Sequence, residues 1–247
     1  MLTLPPVTLS PRFIACARPL FEILRAYHHY EIRHLEYVPK NGPALIVFTH
    51  SLATYDILLF GSMLYLKRGR LINALADRLV FKTPVLRDLA RQVGAVVGEP
   101  HIAHALIEAS RIVAVAPGGM REALRPSSEH YRLSWDRRFG FVKLALQTRV
   151  PVILAACPRA DDIYTVYENS ITHWIYEYLR VPVPIASGAY CTPLPKHVHL
   201  VHHLAPPLVP PPIAGTTPTQ KEITDFFAVV KTAMETLIAD ALNDCVA

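Results

Sequence analysis

The chain has four cysteines, Cys16, Cys157, Cys191 and Cys245, and no two of them form a C-x-x-C pair. That spacing fits neither a zinc knuckle nor a redox dithiol, and a reducing cytoplasm is the expected setting. Charge is also scarce: 18% of the 247 residues are charged while 51% are hydrophobic. This balance excludes a disordered chain or a nucleic-acid-coating protein, even though the formal net charge is +5. Long apolar runs are missing as well. A membrane-spanning helix needs roughly 20 apolar residues, whereas the longest candidate, 57–66, has ten and contains Gly61 and Ser62. The first basic residue is Arg12 and no unbroken apolar run follows it, which argues against a secretory signal. No G-x-S-x-G occurs, so the elbow of a serine hydrolase is absent.

What is there alternates strand and helix. Phe13, Ala17, Leu20, Phe21 and Leu24 recur at helical spacing, with Arg12, Arg18 and Arg25 off that stripe, so the segment from Arg12 to Tyr30 reads as an amphipathic helix, with Pro19 a point where it can kink. Its pattern suits a helix lying in a membrane interface and, equally, one docked on a core. Pro39 to Pro43 is a turn leading into an apolar strand over 44–48, which ends at Thr49 and His50. A helix apolar almost all round follows from Asp56 to Leu66. Further helices are expected from Pro84 to Gly94, over 100–110 and over 139–148, with buried strands over 112–116 and 150–157. Between Val181 and Gln220 prolines cluster around a strand near 197–204. Thr219 and Glu222 then make a capping box for a last amphipathic helix. The fold expected is α/β, a mainly parallel central sheet flanked by helices, with an N-terminal amphipathic helix. Its expected divisions are 1–34 for that helix, 35–215 for the main domain and 216–247 for a C-terminal helix packed on it.

Two segments after strands carry the chemistry. His50 and Asp56 have five residues between them. On one helix the six-residue step turns about 240°, so the histidine belongs to the loop and the aspartate to the helix start. Asp56 is then placed to accept a hydrogen bond from one imidazole nitrogen, leaving the other free to take a proton. A structural histidine is the alternative. The second segment is Pro117, Gly118, Gly119, Met120, Arg121 and Glu122. Two glycines let backbone N–H groups converge on an anion, with the Arg121 fork beside them. A plain turn is the commoner use of such a sequence.

In this order, each after a strand, the two segments resemble the glycerolipid and lysophospholipid acyltransferase family. The likeness extends through Gly42, Pro43 and Ala44, through Gly94, Ala95 and Val96, and through Val150, Pro151, Val152 and Ile153, covering most of 35–215. It implies transfer of an acyl chain from acyl-CoA or an acyl-carrier-protein thioester to a hydroxyl, with no metal or redox cofactor. It departs from the usual pattern twice. The family signature has four residues between histidine and aspartate, and Gly118 stands where a glutamate is usual. Both departures look like the diacylglycerol acyltransferase-like branch, which implies neutral-lipid or fatty-alcohol acceptors.

The mechanism expected from the resemblance makes His50 the general base, oriented by Asp56. Amides near Gly118 and Gly119, or at the helix start after His50, face the oxyanion. Arg121 binds acceptor or donor phosphate, held by Glu122. Arg125, Arg132, Arg137 and Arg138 form a solvated or phosphate-facing basic group. The expected partners are the acyl donor, a lipid acceptor and the cytoplasmic face of a membrane; nucleic acid is not among them. The alternatives are a lysophosphatidate or lysophospholipid acyltransferase and, in another class, a non-catalytic lipid-binding protein of the same fold. His197, His199, His202 and His203 imitate a metal motif, but Val201 stands where a carboxylate is needed. Alternation puts His197 and His199 opposite His202, so no metal site is expected there.

Overall fold

In the computed structural model, which describes residues 4–5, 8–52, 55–167 and 185–244, the chain opens with helix α1, Pro11–Tyr27. Ser10 caps it by accepting the Phe13 amide at 3.1 Å, and Pro11 stands where no amide is needed. Strands β1 (Glu31–Arg33) and β2 (Ala44–Phe48) follow, then α2 (Tyr55–Arg68) and β3 (Ile72–Ala76). Two short helices, α3 (Arg78–Lys82) and α4 (Pro84–Gln92), lead to β4 (Val96–Val97) and α5 (Pro100–Glu108). Gly94 adopts φ +87 at the α4 exit, where a Cβ would also press on the Ile72 carbonyl, so glycine is required twice over.

The middle of the chain supplies β5 (Ile112–Val115), α6 (Gly119–Ala123), α7 (Gly140–Thr148) and β6 (Val152–Ala156). A small antiparallel pair, β7 (Thr165–Val166) with β8 (Ala186–Ser187), precedes β9 (Val201–Leu204) and the last helix α8 (Gln220–Asp244). The proline-rich segment expected from Val181 falls outside the described residues up to 184. Its strand is shorter than the one expected over 197–204. The capping box forms: Glu222 Oε2 accepts the Thr219 amide at 2.6 Å and Thr219 Oγ1 accepts the Glu222 amide at 3.3 Å.

The main sheet has seven strands in the order β1-β9-β6-β2-β5-β3-β4, parallel at every pairing except β6 with β9. β2 therefore lies at the centre, buried along its whole length, between β5 and β6. Its side chains alternate between two cores. Leu45 and Val47 join the layer built with α5, α7 and α8, where Trp135, Phe226, Val230 and Met234 are buried. Ala44, Ile46 and Phe48 join the other, against Leu59, Phe60, Met63 and Leu64 of α2. With helices on both faces, neither side of a parallel strand can be polar, which explains the unbroken apolar runs of β2, β5 and β6.

α1 buries no residue completely. It lies over α2, and an open apolar groove runs between the two helices, lined by Phe13, Ala17, Phe21, Ile57, Gly61 and Leu66 among others. Leu20 and Ile23 of α1 face solvent, 56% and 65% exposed. No helix among the described residues is long and apolar enough to cross a membrane.

Candidate active site

Because β2 and β5 are parallel neighbours, the loops after them leave the sheet at the same edge, outside the carboxyl ends of the strands. His50 and Gly118 thus come together although 68 positions apart in sequence. The link is direct: Glu122, in α6, accepts the His50 backbone amide through Oε2 at 3.1 Å.

The His50 ring is closely surrounded yet not fully buried. Its Nδ1 lies 2.8 Å from the carbonyl oxygen of Ser51. A carbonyl oxygen only accepts, so Nδ1 carries the hydrogen and, in the neutral ring, Nε2 keeps its lone pair. Burial holds the imidazole below its ordinary pKa of 6.5; the Ser51 carbonyl and Asp56 oppose this, and Arg125 and Arg138 add to it. A neutral ring with a bare Nε2 is the form a general base needs.

Asp56 occupies the first turn of α2, as its spacing from His50 required, and is completely buried. It does not, however, hold the His50 ring directly as expected. Oδ1 accepts a hydrogen bond from Ser51 Oγ, and Oδ2 faces Nε2 of His202 at 3.4 Å. The position next to His50 on the imidazole is filled by the backbone of Ser51 instead.

Glu122 also departs from expectation. It does not hold Arg121; it points inward, fully buried, taking the amides of His50 and of Ser134, the latter at 3.2 Å on Oε1, and lying 3.4 Å from Arg125 Nη1. Burial raises its carboxyl to about 7 against the opposing pull of Arg125 and the two amides. Gly118 has to be glycine because a Cβ there would overlap the Glu122 side chain. Gly119 takes φ +53 and stands close to the Arg138 guanidinium, which donates to the Pro117 carbonyl at 3.1 Å. The Gly119 amide is engaged by the Ala116 carbonyl at 3.0 Å. Arg121 turns outward and pairs with Asp136 at 2.6 Å, both largely exposed.

Of the basic group, Arg132, Arg137 and Arg138 are exposed, as a solvated face requires, and Arg125 alone departs from it. Arg125 is buried and grips Asp161 with Nε at 3.1 Å and Nη2 at 2.7 and 2.6 Å, while Nη1 donates to the Arg132 carbonyl. His202 and His203 are buried too. β9 is inserted between β1 and β6, which no local pattern announced, although alternation had separated His202 from His197 and His199. Among the described residues, donor atoms of three metal-binding residue types come within 4.8 Å of one another in one group, Asp56, Cys157 and His202, all buried.

A mainly parallel α/β sheet with a histidine at the end of its central strand, beside a glycine turn after the neighbouring strand, defines a class of site with the parts for proton removal from a hydroxyl. The chain matches the acyltransferase family over residues 29–157 and belongs to that family. It is 30% identical over 165 residues to a Bos taurus protein described as a DGAT1/2-independent enzyme synthesizing storage lipids, covering 66% of this chain and 49% of that protein. The Gallus gallus protein of the same description is 33% identical over 160 residues, 64% of this chain and 48% of its own length. An uncharacterised Mycobacterium tuberculosis protein is 29% identical over 191 residues, 74% and 53% of the two chains. The chain spans about half the length of the curated relatives it matches. Among solved structures, the 1-acyl-sn-glycerophosphate acyltransferase PlsC from Thermotoga maritima superposes with a TM-score of 0.52 at 16% identity, covering 93% of this chain and 84% of that one, and shares the fold.

Proposed function

We propose that the protein is an O-acyltransferase that moves a fatty acyl group from acyl-CoA or an acyl-carrier-protein thioester to the hydroxyl of a neutral glycerolipid or fatty alcohol. The observation that carries this reading is the His50 ring, held by Nδ1 on the Ser51 carbonyl with Nε2 unprotonated at the end of the central strand. Nε2 removes the acceptor hydroxyl proton as the oxygen attacks the thioester carbonyl. The tetrahedral intermediate collapses with loss of the thiolate, which takes the proton back from the imidazolium. The acyl group passes directly between substrates, so the scheme needs no covalent enzyme intermediate and no cofactor beyond the acyl donor. With the Gly119 amide engaged, the oxyanion role falls to the Gly118 amide or to the start of α2.

Three features support a neutral acceptor: the relatives named for storage-lipid synthesis, the glycine at position 118 in place of the family glutamate, and the pairing of Arg121 with Asp136, which competes with phosphate binding. The apolar groove between α1 and α2 begins at Ile57, one residue beyond Asp56, and suits an acyl chain. Exposed Leu20 and Ile23 suit contact with a membrane surface. The test supplies labelled acyl-CoA or acyl carrier protein with monoacylglycerol, diacylglycerol, a long-chain alcohol or lysophosphatidate. The wild type is expected to esterify a neutral acceptor and His50→Ala to fall to background. Equal rates for the two proteins would refute the role of His50, and activity confined to lysophosphatidate would refute the acceptor class.

A further inference from the structure

Behind His50 lies a line of buried polar groups that the acyl-transfer scheme does not use. Ser51 contributes at two points: its carbonyl holds His50 Nδ1 at 2.8 Å and its hydroxyl donates to Asp56 Oδ1. The other Asp56 oxygen and Nε2 of His202 face each other at 3.4 Å, and neither has a hydrogen-bond partner of its own. The far nitrogen of His202, Nδ1, lies 2.9 Å from the Tyr30 hydroxyl. Asp56 and His202 are both completely inaccessible, and Tyr30 is nearly so. The rings of Phe48 and Phe60 pack edge-on against His202 at 5.7 and 5.1 Å between centroids, so the imidazole cannot swing elsewhere.

Two buried polar atoms without a hydrogen-bond partner are costly to leave so, by roughly 1–3 kcal/mol each. Catalytic hydrogen bonds are often long without substrate and tighten in the reacting complex. The geometry points to His202 as a positioning residue: with Tyr30 behind it, it braces Asp56 and Ser51 so that the Ser51 carbonyl keeps His50 in the Nδ1–H tautomer. A Tyr30 O–H donating to Nδ1 of His202 leaves Nε2–H to donate to Asp56, so every link has a donor and an acceptor. The relay supplies a fixed orientation for the base. It crosses the sheet from β9 to the start of α2, so it depends on β9 standing beside β6.

The proposal rests on the His50 reading, and its tests separate the two. In full-length protein labelled with 15N-histidine, the His50 signal is identified by its loss in His50→Ala. The wild type should show the Nδ1–H pattern, and His202→Leu should shift it toward the Nε2–H form. An unchanged pattern in folded His202→Leu overturns the relay whether or not acyl transfer is detected. In the acyltransferase assay, His202→Leu should lower kcat by at least about tenfold, a part of the 10²–10⁴-fold a general base supplies, with KM within about twofold. His202→Gln, which offers a donor and an acceptor in line, should recover part of the loss. Adding His202→Leu to Ser51→Ala should cost less than about twofold further; fully additive effects overturn the relay. If His202→Leu fails to fold, Tyr30→Phe removes one hydroxyl with little change of shape, and wild-type kcat in that variant overturns the outer link. One tightly bound divalent cation per purified chain, held by Asp56, Cys157 and His202, would also overturn it.

Discussion

Glu122→Gln isolates one buried carboxyl. In the folded protein its pKa stands at about 7 against an ordinary 4.5, because burial outweighs Arg125 and the amides of Ser134 and His50. A carboxyl whose folded pKa is raised binds its proton more tightly folded than unfolded. Its contribution to stability is therefore fully present below pH 4.5 and is lost as pH rises through about 7. At about 1.4 kcal/mol for each tenfold change in proton affinity, the loss amounts to about 3 kcal/mol. Glutamine cannot titrate but keeps the size and one acceptor oxygen. The lost contacts to His50, Ser134 and Arg125 displace its stability by an offset that does not follow Glu122 ionisation. Urea unfolding of both proteins across pH 4 to 8.5, read as the stability difference at each pH, should show the wild type losing about 3 kcal/mol relative to Glu122→Gln. A difference that stays flat, or that moves in favour of the wild type with rising pH, would refute a proton-holding Glu122.

Further expectations follow from the same geometry. Because burial lowers the His50 pKa, kcat/KM should rise with pH to a plateau with its midpoint below pH 6.5; a midpoint at or above 6.5 would contradict the neutral base. Gly118→Ala pushes a methyl group into Glu122; it should cost about 1–3 kcal/mol in thermal unfolding and lower kcat, since Glu122 holds the His50 amide. Asp161→Asn leaves Arg125 buried without its carboxylate, and a loss of about 3–5 kcal/mol is expected in chemical denaturation; a loss under about 1 kcal/mol would place that pair among exposed ones. Thr219→Ala removes the cap of α8 and should lower stability by about 1 kcal/mol, measured by the same method.

The three central strands, β6, β2 and β5, were legible because a strand covered on both faces must be apolar throughout, and the segments over 44–48, 112–116 and 150–157 are; β1, β3 and β4 were not among the expected strands. Helix limits came from punctuation that acts locally: Pro84 and Gly94 around α4, and Thr219 with Glu222 ahead of α8. The position of His50 in a loop and of Asp56 at a helix start followed from helical geometry alone. β9 was harder to place. Its four residues carry two histidines, and its burial arises from strands far away in sequence, β1 and β6.

The site divides in the same way. Which residues stand ready for acyl transfer, His50 and the turn at Gly118, is written in residue type, order and the strands that precede them. Which atoms they touch is not, because hydrogen-bond partners are chosen by three-dimensional approach. Glu122 follows Arg121 in sequence, yet helical rotation turns one inward to the His50 amide and the other outward to Asp136. Arg125 reads like its basic neighbours until the fold brings Asp161 to it. Asp56 lies near His50 in sequence, but the burial of His202 and the backbone of Ser51 decide what its carboxylate can reach. Local sequence settles backbone propensity and residue chemistry, whereas the pairing of buried polar groups depends on which strands become neighbours.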